Sequence, residues 1–127
     1  MKLLSTYVHG IFDYVVGIVL LVAPNLFGFA DVGGPAVFIP RLVGVLMLLQ
    51  SAFTRYELGL VKVLAMRTHL TFDYILAVFL AVSPWLFGFA HQSSHVWMPH
   101  VIVGIIAFLM TLATDTAPRA RTLGPVA

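Results

Sequence analysis

Residues 69–90 read HLTFDYILAVFLAVSPWLFGFA, a long apolar run with a histidine and an aspartate near its start. Residues 9–30 read HGIFDYVVGIVLLVAPNLFGFA, so the same pattern occurs twice with an offset of sixty positions. In both copies the apolar run is long enough for a helix that crosses a membrane. A proline and then the letters LFGFA end each run. The chain is therefore predicted to repeat one unit that begins with a membrane-spanning helix.

The composition of the chain agrees with a location in a lipid bilayer. Of its 127 residues, 61% are hydrophobic and only 9% are charged, whereas roughly a quarter of the residues in a soluble domain are charged. The mean hydropathy is +1.02. Seven Lys and Arg residues are too few to bind a phosphate backbone, so nucleic acid is not an expected partner. The absence of cysteine excludes disulfides and thiolate metal sites.

Four segments are long enough for the hydrocarbon core, which needs roughly 20 residues of apolar helix. They cover about residues 7–29, 36–54, 68–89 and 95–114. The candidate N-caps of these helices are Ser5 or Thr6, Thr68, and Ser93 or Ser94. The predicted fold is an all-α membrane protein, a four-helix bundle of two tandem two-helix repeats. Because each repeat crosses twice, the repeats should be related by a pseudo-two-fold axis along the membrane normal.

The whole chain, residues 1–127, is predicted to form a single membrane domain. Its parts are repeat 1 (about 5–55), a connector (about 56–67), repeat 2 (about 68–115) and a flexible C-terminal tail (about 116–127). The connector is basic and has apolar residues at helical spacing, so it is predicted to be an interfacial helix on anionic lipid.

Basic residues predict the orientation, because they are commoner on the cytoplasmic side of short loops. Arg41 lies alone on one side of the predicted membrane. On the other side, with both termini and the connector, lie Lys2, Arg55, Lys62, Arg67, Arg119 and Arg121. Both termini are therefore expected in the cytoplasm.

The tripeptide Ser83-Pro84-Trp85 ends the first helix of a two-helix unit. It resembles the motif of the SPW repeat family of small prokaryotic integral membrane proteins. The resemblance covers about residues 5–115, although the first copy reads Ala23-Pro24-Asn25 and keeps only the proline. It implies paired transmembrane helices in the inner, cytoplasmic membrane of a prokaryote, and it implies no particular chemistry.

The ends of the first and third helices carry prolines followed by aromatic side chains. Proline disrupts a continuing helix, and aromatic rings concentrate at membrane interfaces. The predicted interfacial anchors are Pro24, Pro84, Trp85, Phe87 and Trp97, in a belt with Phe27, Phe29 and Phe89.

Ionisable side chains inside a membrane span are the main candidates for a polar or ion site. His9 and Asp13, like His69 and Asp73, are four residues apart and so share one helix face. Small residues continue this face, which suggests that it points into the protein. If the first and third helices meet, two imidazoles and two carboxylates converge. Arg55 and Arg67 are possible ion-pair partners.

Several chemistries fit such a group, and the sequence leaves them open. The four side chains are candidate ligands for Zn, Fe or Mn, the two histidines are candidate axial ligands of haem, and His/Asp pairs relay protons. The same pairs can also serve only to fix helix register. His91, His95 and His100 near the second outer loop form a weaker candidate for a metal site.

The function best supported by the sequence is a noncatalytic membrane module that assembles with itself or binds a partner. Alternatives are a proton or ion pathway centred on the His/Asp stripes, and a metal or haem binder that uses His9 and His69. No motif of a familiar enzyme is present, so an enzyme is not the expected class. The expected partners are the lipid bilayer and a second copy, through the small residues Gly44, Gly104 and Ala107.

Overall fold

The computed structural model describes residues 3–116, which fold into four long helices with no strand among them. The helices are α1 (Thr6–Leu26), α2 (Gly34–Ala52), α3 (Met66–Leu86) and α4 (Ser94–Leu112), with a short 3₁₀ turn, Ala30–Val32, before α2. Each helix is long and apolar enough to cross a membrane. The predicted all-α membrane fold is therefore confirmed. Lys2, Arg119, Arg121 and most of the predicted flexible tail lie outside the described residues.

The helix starts agree with the sequence only in part. The Ser5 hydroxyl accepts a hydrogen bond from the Val8 N–H and caps α1, as expected. Ser93 precedes α4 but makes no capping hydrogen bond with its side chain. The prediction that Thr68 caps the third helix was wrong, because α3 begins at Met66 and Ala65 occupies the N-cap position.

Helices α1 and α3 end in the same way. Pro24 and Pro84 lie in their last turns and supply no backbone N–H. Gly28 and Gly88 follow with φ values of 74° and 76°, a left-handed conformation that ends helices and that glycine adopts without strain. The repeated LFGFA letters therefore turn the chain out of the helix in both copies.

Helix α1 packs along α2 to form hairpin 1, and α3 packs along α4 to form hairpin 2. A Cβ atom on Gly44 would lie 2.6 Å from the Gly17 carbonyl oxygen, and one on Gly104 would lie 2.7 Å from the Ala77 oxygen. Only glycine permits this approach. The expectation that Gly44 and Gly104 face another copy was therefore wrong, since both are used inside their own hairpins. A homo-oligomer as such stays a prediction.

Apolar side chains fill the space between the helices and also cover their outer faces. The main buried cluster consists of Leu20, Ile39, Val43, Met47 and Leu80. Exposed aliphatic residues recur along α1 at helical spacing, namely Ile11, Val15, Ile18 and Val22. A chain with four such helices contacts the lipid bilayer and is a multi-pass membrane protein.

The aromatic residues after the prolines divide into two groups. Trp85 and Phe87 are exposed, and the Trp85 ring lies 6.1 Å from the ring of Trp97. Their role as interfacial anchors stays a prediction. Phe29 and Phe89 are buried, so their predicted place in the belt was wrong. Each follows the glycine of its LFGFA segment and is turned into the protein.

Residues 53–65 form turns, so the predicted interfacial helix was wrong. The N–H groups of Leu60 and Val61 donate to the Ala52 oxygen over 2.7 and 2.9 Å. Gly59 lies so close to the Thr54 carbonyl that any side chain there would clash. The connector thus folds back over the end of α2, and its backbone groups bond there instead of along a helix.

Equivalent backbone contacts join the two hairpins at this end of the molecule. The Leu4 N–H donates to the Ala113 oxygen over 2.9 Å, and the Leu64 N–H donates to the Phe53 oxygen over 2.8 Å. Each segment that precedes the first helix of one hairpin therefore pairs with the end of the other hairpin. This pairing places the starts of α1 and α3 beside the ends of α4 and α2.

Candidate functional site

The starts of α1 and α3 bring the four ionisable residues of the repeated stripe together, and we call them the His/Asp cluster: His9, Asp13, His69 and Asp73. His9 Nε2 lies 2.7 Å from Asp73 Oδ2, and His69 Nε2 lies 2.6 Å from Asp13 Oδ2. Within each helix the corresponding distance is 3.1 Å. All four residues are buried. The shortest contacts therefore run between the hairpins and are reciprocal.

Two threonines hold the outer sides of the imidazoles. His9 Nδ1 lies 2.8 Å from the Thr114 hydroxyl, and His69 Nδ1 lies 2.7 Å from the Thr54 hydroxyl. Both hydroxyls donate their own hydrogen to a backbone carbonyl one turn earlier. Because a hydroxyl has one hydrogen, it must accept from the imidazole. Each Nδ1 therefore carries a proton, and each Nε2 is directed at a carboxylate.

This arrangement fixes how many protons the cluster contains. A carboxylate oxygen only accepts, so each close Nε2 to Oδ2 contact needs one proton between the two atoms. With that proton on either atom, each His/Asp pair has a net charge of zero. A neutral pair avoids the large cost of an unpaired charge in an apolar environment. Both nitrogens of each imidazole are thus hydrogen-bonded to the other hairpin without adding net charge to the membrane interior.

The surroundings of Asp73 differ from those expected from the sequence. The Gln50 side chain donates a hydrogen bond to its other oxygen, Oδ1. Gln50 has no equivalent in the second copy, where Met110 occupies the corresponding position. The structure does not bring Arg55 or Arg67 to the carboxylate, and Arg67 is exposed. Imidazoles and an amide surround Asp73 in place of the predicted guanidinium groups.

Tyr56 in the connector covers the site. Its ring is completely buried and its centre lies 5.5 Å from that of the His69 ring. The ring also packs against Gly10, where a side chain would clash with it. Burial raises the pKa of the Tyr56 phenol, and the nearby Asp13 carboxylate raises it further. The phenol therefore stays protonated at neutral pH.

Sequence reasoning missed several residues that contact the cluster: Thr54, Thr114, Gln50 and Tyr56. One signal was available, because Thr54 and Thr114 are sixty positions apart and both follow the second helix of a repeat. Their pairing with the histidines depends on how the connector folds, which the sequence pattern does not indicate.

The outer histidines do not form the three-residue metal site considered from the sequence. His91 and His95 are exposed, whereas His100 is buried. Its Nε2 lies 2.9 Å from the Ala36 carbonyl oxygen and its Nδ1 lies 2.8 Å from the Val96 oxygen. Pro40 lacks the N–H that would bond the Ala36 oxygen within the helix. With its proton on Nε2, His100 donates to the Ala36 oxygen, which the proline leaves without a helix partner.

Ser83 has a similar role in α3. Pro84 supplies no N–H to the Leu80 carbonyl, and the Ser83 hydroxyl donates to that oxygen over 2.7 Å. In the first copy, Ala23 precedes the proline and has no hydroxyl to donate. The first two letters of the Ser-Pro-Trp motif thus form a helix end whose carbonyl is satisfied locally.

A protein-family model matches nearly the whole described part of the chain. A family model described as the SPW repeat domain matches residues 7–114. No curated protein and no solved structure gives a significant match. The matched segment contains the His/Asp cluster, Pro24, Pro84 and all four helices except Thr6, the first residue of α1. The chain therefore belongs to the SPW repeat domain family.

Proposed function

We propose that this protein is a noncatalytic membrane module in which the His/Asp cluster joins two hairpins into one unit. The observation that supports the proposal is the pair of reciprocal contacts, 2.6 and 2.7 Å long, between α1 and α3. In lipid, apolar helix faces have little reason to prefer one another over acyl chains, so polar contacts and close packing must hold helices together. Buried polar groups in each hairpin that make their shortest contacts to the other hairpin supply that preference.

The space around the cluster supports a role inside the protein. The cavity next to Asp13 and Asp73 has a volume of about 10 Å³, which is no more than a single water needs. A substrate therefore has no room beside the carboxylates in this conformation. The module would act through its assembled shape and its outer surface.

The assembly of this module with itself or with a partner is part of the proposal. Helix α4 is the least buried of the four helices: 28% of its most apolar 18-residue stretch is buried inside the protein, against 39–44% for the other three. It therefore leaves the most surface for contact with another protein in the membrane. Exposed residues of this helix include Ile102, Ile105 and Leu109.

The geometry of the His/Asp cluster disfavours two of the alternative functions and supports the third. A proton or ion pathway needs polar groups across the membrane, but an apolar layer with Leu20, Val43 and Leu80 lies beyond the cluster in the described chain. A haem between the two imidazoles would need the space that the carboxylates fill. A metal ion remains supported, because four donor atoms of the cluster lie within 4.8 Å of one another.

We further propose that the protein lies in the inner membrane of a prokaryote with its connector in the cytoplasm, since Arg55 and Lys62 lie between α2 and α3 and Arg67 lies in the first turn of α3. The cysteine-free chain permits a direct test. In intact cells, a membrane-impermeant maleimide should label Ser93→Cys at the outer loop and leave Val63→Cys unlabelled until lysis. The reverse pattern would contradict the proposed orientation.

The joining role is tested by thermal unfolding of the purified chain in a mild detergent. His69→Ala and Asp73→Asn should each lower the melting temperature by several degrees, because each leaves buried groups of the other hairpin unpaired. His95→Ala, at an exposed histidine, is the matched control and should melt like the unmutated protein. Unchanged melting of both cluster variants would refute the joining role.

A further inference from the structure

The donor atoms of the His/Asp cluster form a ring in which nitrogen and oxygen alternate. His9 Nε2, Asp13 Oδ2, His69 Nε2 and Asp73 Oδ2 follow one another at separations of 2.6–3.1 Å. A metal ion with bonds of about 2.0–2.2 Å holds neighbouring donors roughly 2.8 Å apart at a right angle and roughly 3.3–3.6 Å apart at a tetrahedral angle. The ring thus needs only a small expansion to take a metal ion at its centre.

The imidazoles are already oriented as metal ligands. A ligating histidine commonly donates its other ring N–H to a fixed acceptor, which sets the tautomer and the direction of the ring. Here Thr114 and Thr54 accept from the Nδ1 atoms and are themselves fixed on backbone carbonyls. The Gln50 amide holds the second oxygen of Asp73. Each Nε2 atom is therefore already held in the ring of donor atoms.

The charge of the cluster selects the kind of ion. Two carboxylates balance one divalent cation, and neutral imidazoles add no charge. The neighbouring lining is mostly apolar and includes Leu20, Met47, Leu76 and Leu80, so an unbalanced charge there is costly. Two nitrogen donors favour a first-row transition metal over Mg²⁺ or Ca²⁺, which prefer oxygen ligands. Thiolate competition is absent because the chain has no cysteine.

We propose that the His/Asp cluster binds one divalent first-row transition-metal ion, with Zn²⁺ as the leading case. The inference uses the same four residues as the proposed joining role but does not depend on it. An ion at the centre takes the place of the two protons that lie between the imidazoles and the carboxylates, so the net charge stays zero. The ion then bridges the two hairpins directly.

The first test measures metal in the full-length chain, purified in mild detergent through a tag that contains no histidine. Elemental analysis should find about one transition-metal ion per chain, or the chelator-treated protein should take up one equivalent of Zn²⁺. Co²⁺ serves as a spectroscopic probe, because its visible absorption reports nitrogen and oxygen ligands. Absence of both stoichiometric metal and a cobalt spectrum would overturn the proposal.

Variants then locate the ion. His69→Gln and Asp13→Asn should lose the cobalt spectrum, whereas His95→Gln, which removes an exposed histidine, should keep it. Retention of the spectrum in both cluster variants would show that the metal binds elsewhere and would overturn the assignment. Loss of the spectrum in His95→Gln alone would do the same.

The cluster variants could lose the metal because they fail to fold, so a third variant leaves the four ligands in place. Thr54→Val keeps all four ligands and removes the hydroxyl that accepts from His69, so Co²⁺ affinity should fall roughly 10–100-fold. Thr54→Ser keeps the hydroxyl and should bind nearly as the unmutated chain does. Equal affinity of both variants would contradict the proposed ligand orientation.

Melting curves of the metal-free proteins are recorded alongside. If the cluster variants melt early while the unmutated chain takes up no metal, the joining role stands and the metal site is refuted.

Discussion

At the residue scale, the most informative groups are the hydroxyls of Thr54 and Thr114. Each donates to a carbonyl of its own helix end and accepts from a histidine that belongs to the other hairpin. A serine or threonine hydroxyl often bonds the carbonyl four residues earlier in a helix. In this protein that ordinary local bond also determines which nitrogen of each buried imidazole faces the carboxylates.

Tyr56 gives a prediction about alkaline pH. Because burial raises the pKa of its phenol in the folded protein, the stabilisation is complete below the unfolded value of about 10 and is lost as the pH rises above it. Tyr56→Phe has no such proton to lose. The melting temperatures of the two proteins in detergent should change in parallel up to about pH 9. By about pH 11 the unmutated protein should have lost several degrees more. Parallel curves over the whole range would contradict the buried, neutral phenol.

The residues of the cluster illustrate what sequence could and could not predict. The four-residue spacing of His9 and Asp13, repeated sixty positions later, was sufficient to predict that imidazoles and carboxylates converge. Arg55 and Arg67 were expected as partners from charge alone. Partner choice depends on which backbone carries each group into the interior, and Arg67 lies on the exposed face of the first turn of α3.

At the scale of the elements, the proline helix ends give a matched pair of variants. Ser83→Ala should lower the free energy of unfolding by about 0.5–1.5 kcal/mol, because the Leu80 carbonyl loses its hydroxyl donor. Ala23→Ser, at the same place in the first copy, should raise it or leave it unchanged. Denaturant titration in detergent micelles measures both. A larger loss from Ala23→Ser than from Ser83→Ala would contradict the proposed role of the serine.

The close approach of the helices within a hairpin gives a second prediction at this scale. Gly104→Ala should destabilise the protein by about 1–3 kcal/mol, since its Cβ would press on the backbone of Ala77. Ile105→Val, at the neighbouring exposed position, is the control and should have a small effect. The same titration measures both variants. Equal effects of the two variants would show that the close contact between Gly104 and Ala77 does not contribute to stability.

The helices could be predicted well and the connector could not. A membrane span has a length set by the bilayer, so an apolar run of about 20 residues allows few alternatives. Residues 53–65 carry apolar side chains at a spacing that a helix and a folded-back turn can both use. The deciding contacts, between Leu64 and Phe53 and between Gly59 and Thr54, are made to the residues that follow α2, and the spacing of apolar residues does not indicate them.

At the scale of the whole molecule, the reciprocal contacts explain why the duplication matters. The two shortest contacts between the histidines and the aspartates are equivalent by the sixty-residue offset, His9 with Asp73 and His69 with Asp13. A two-fold relation between hairpins that enter the membrane from the same side would produce this pattern, and the axis along the membrane normal stays a prediction. A single hairpin would leave its own histidine and aspartate facing lipid.

The central claim is that the His/Asp cluster joins the hairpins, and a double-mutant cycle on His9 and Asp73 tests it most directly. The free energy of unfolding in detergent micelles is measured for the unmutated chain, His9→Leu, Asp73→Leu and the double variant. Our account predicts that the double variant loses less than the sum of the single losses, with an interaction energy of about 1–3 kcal/mol. Losses that add to within about 0.5 kcal/mol would show that the two residues are not energetically coupled and would contradict the account.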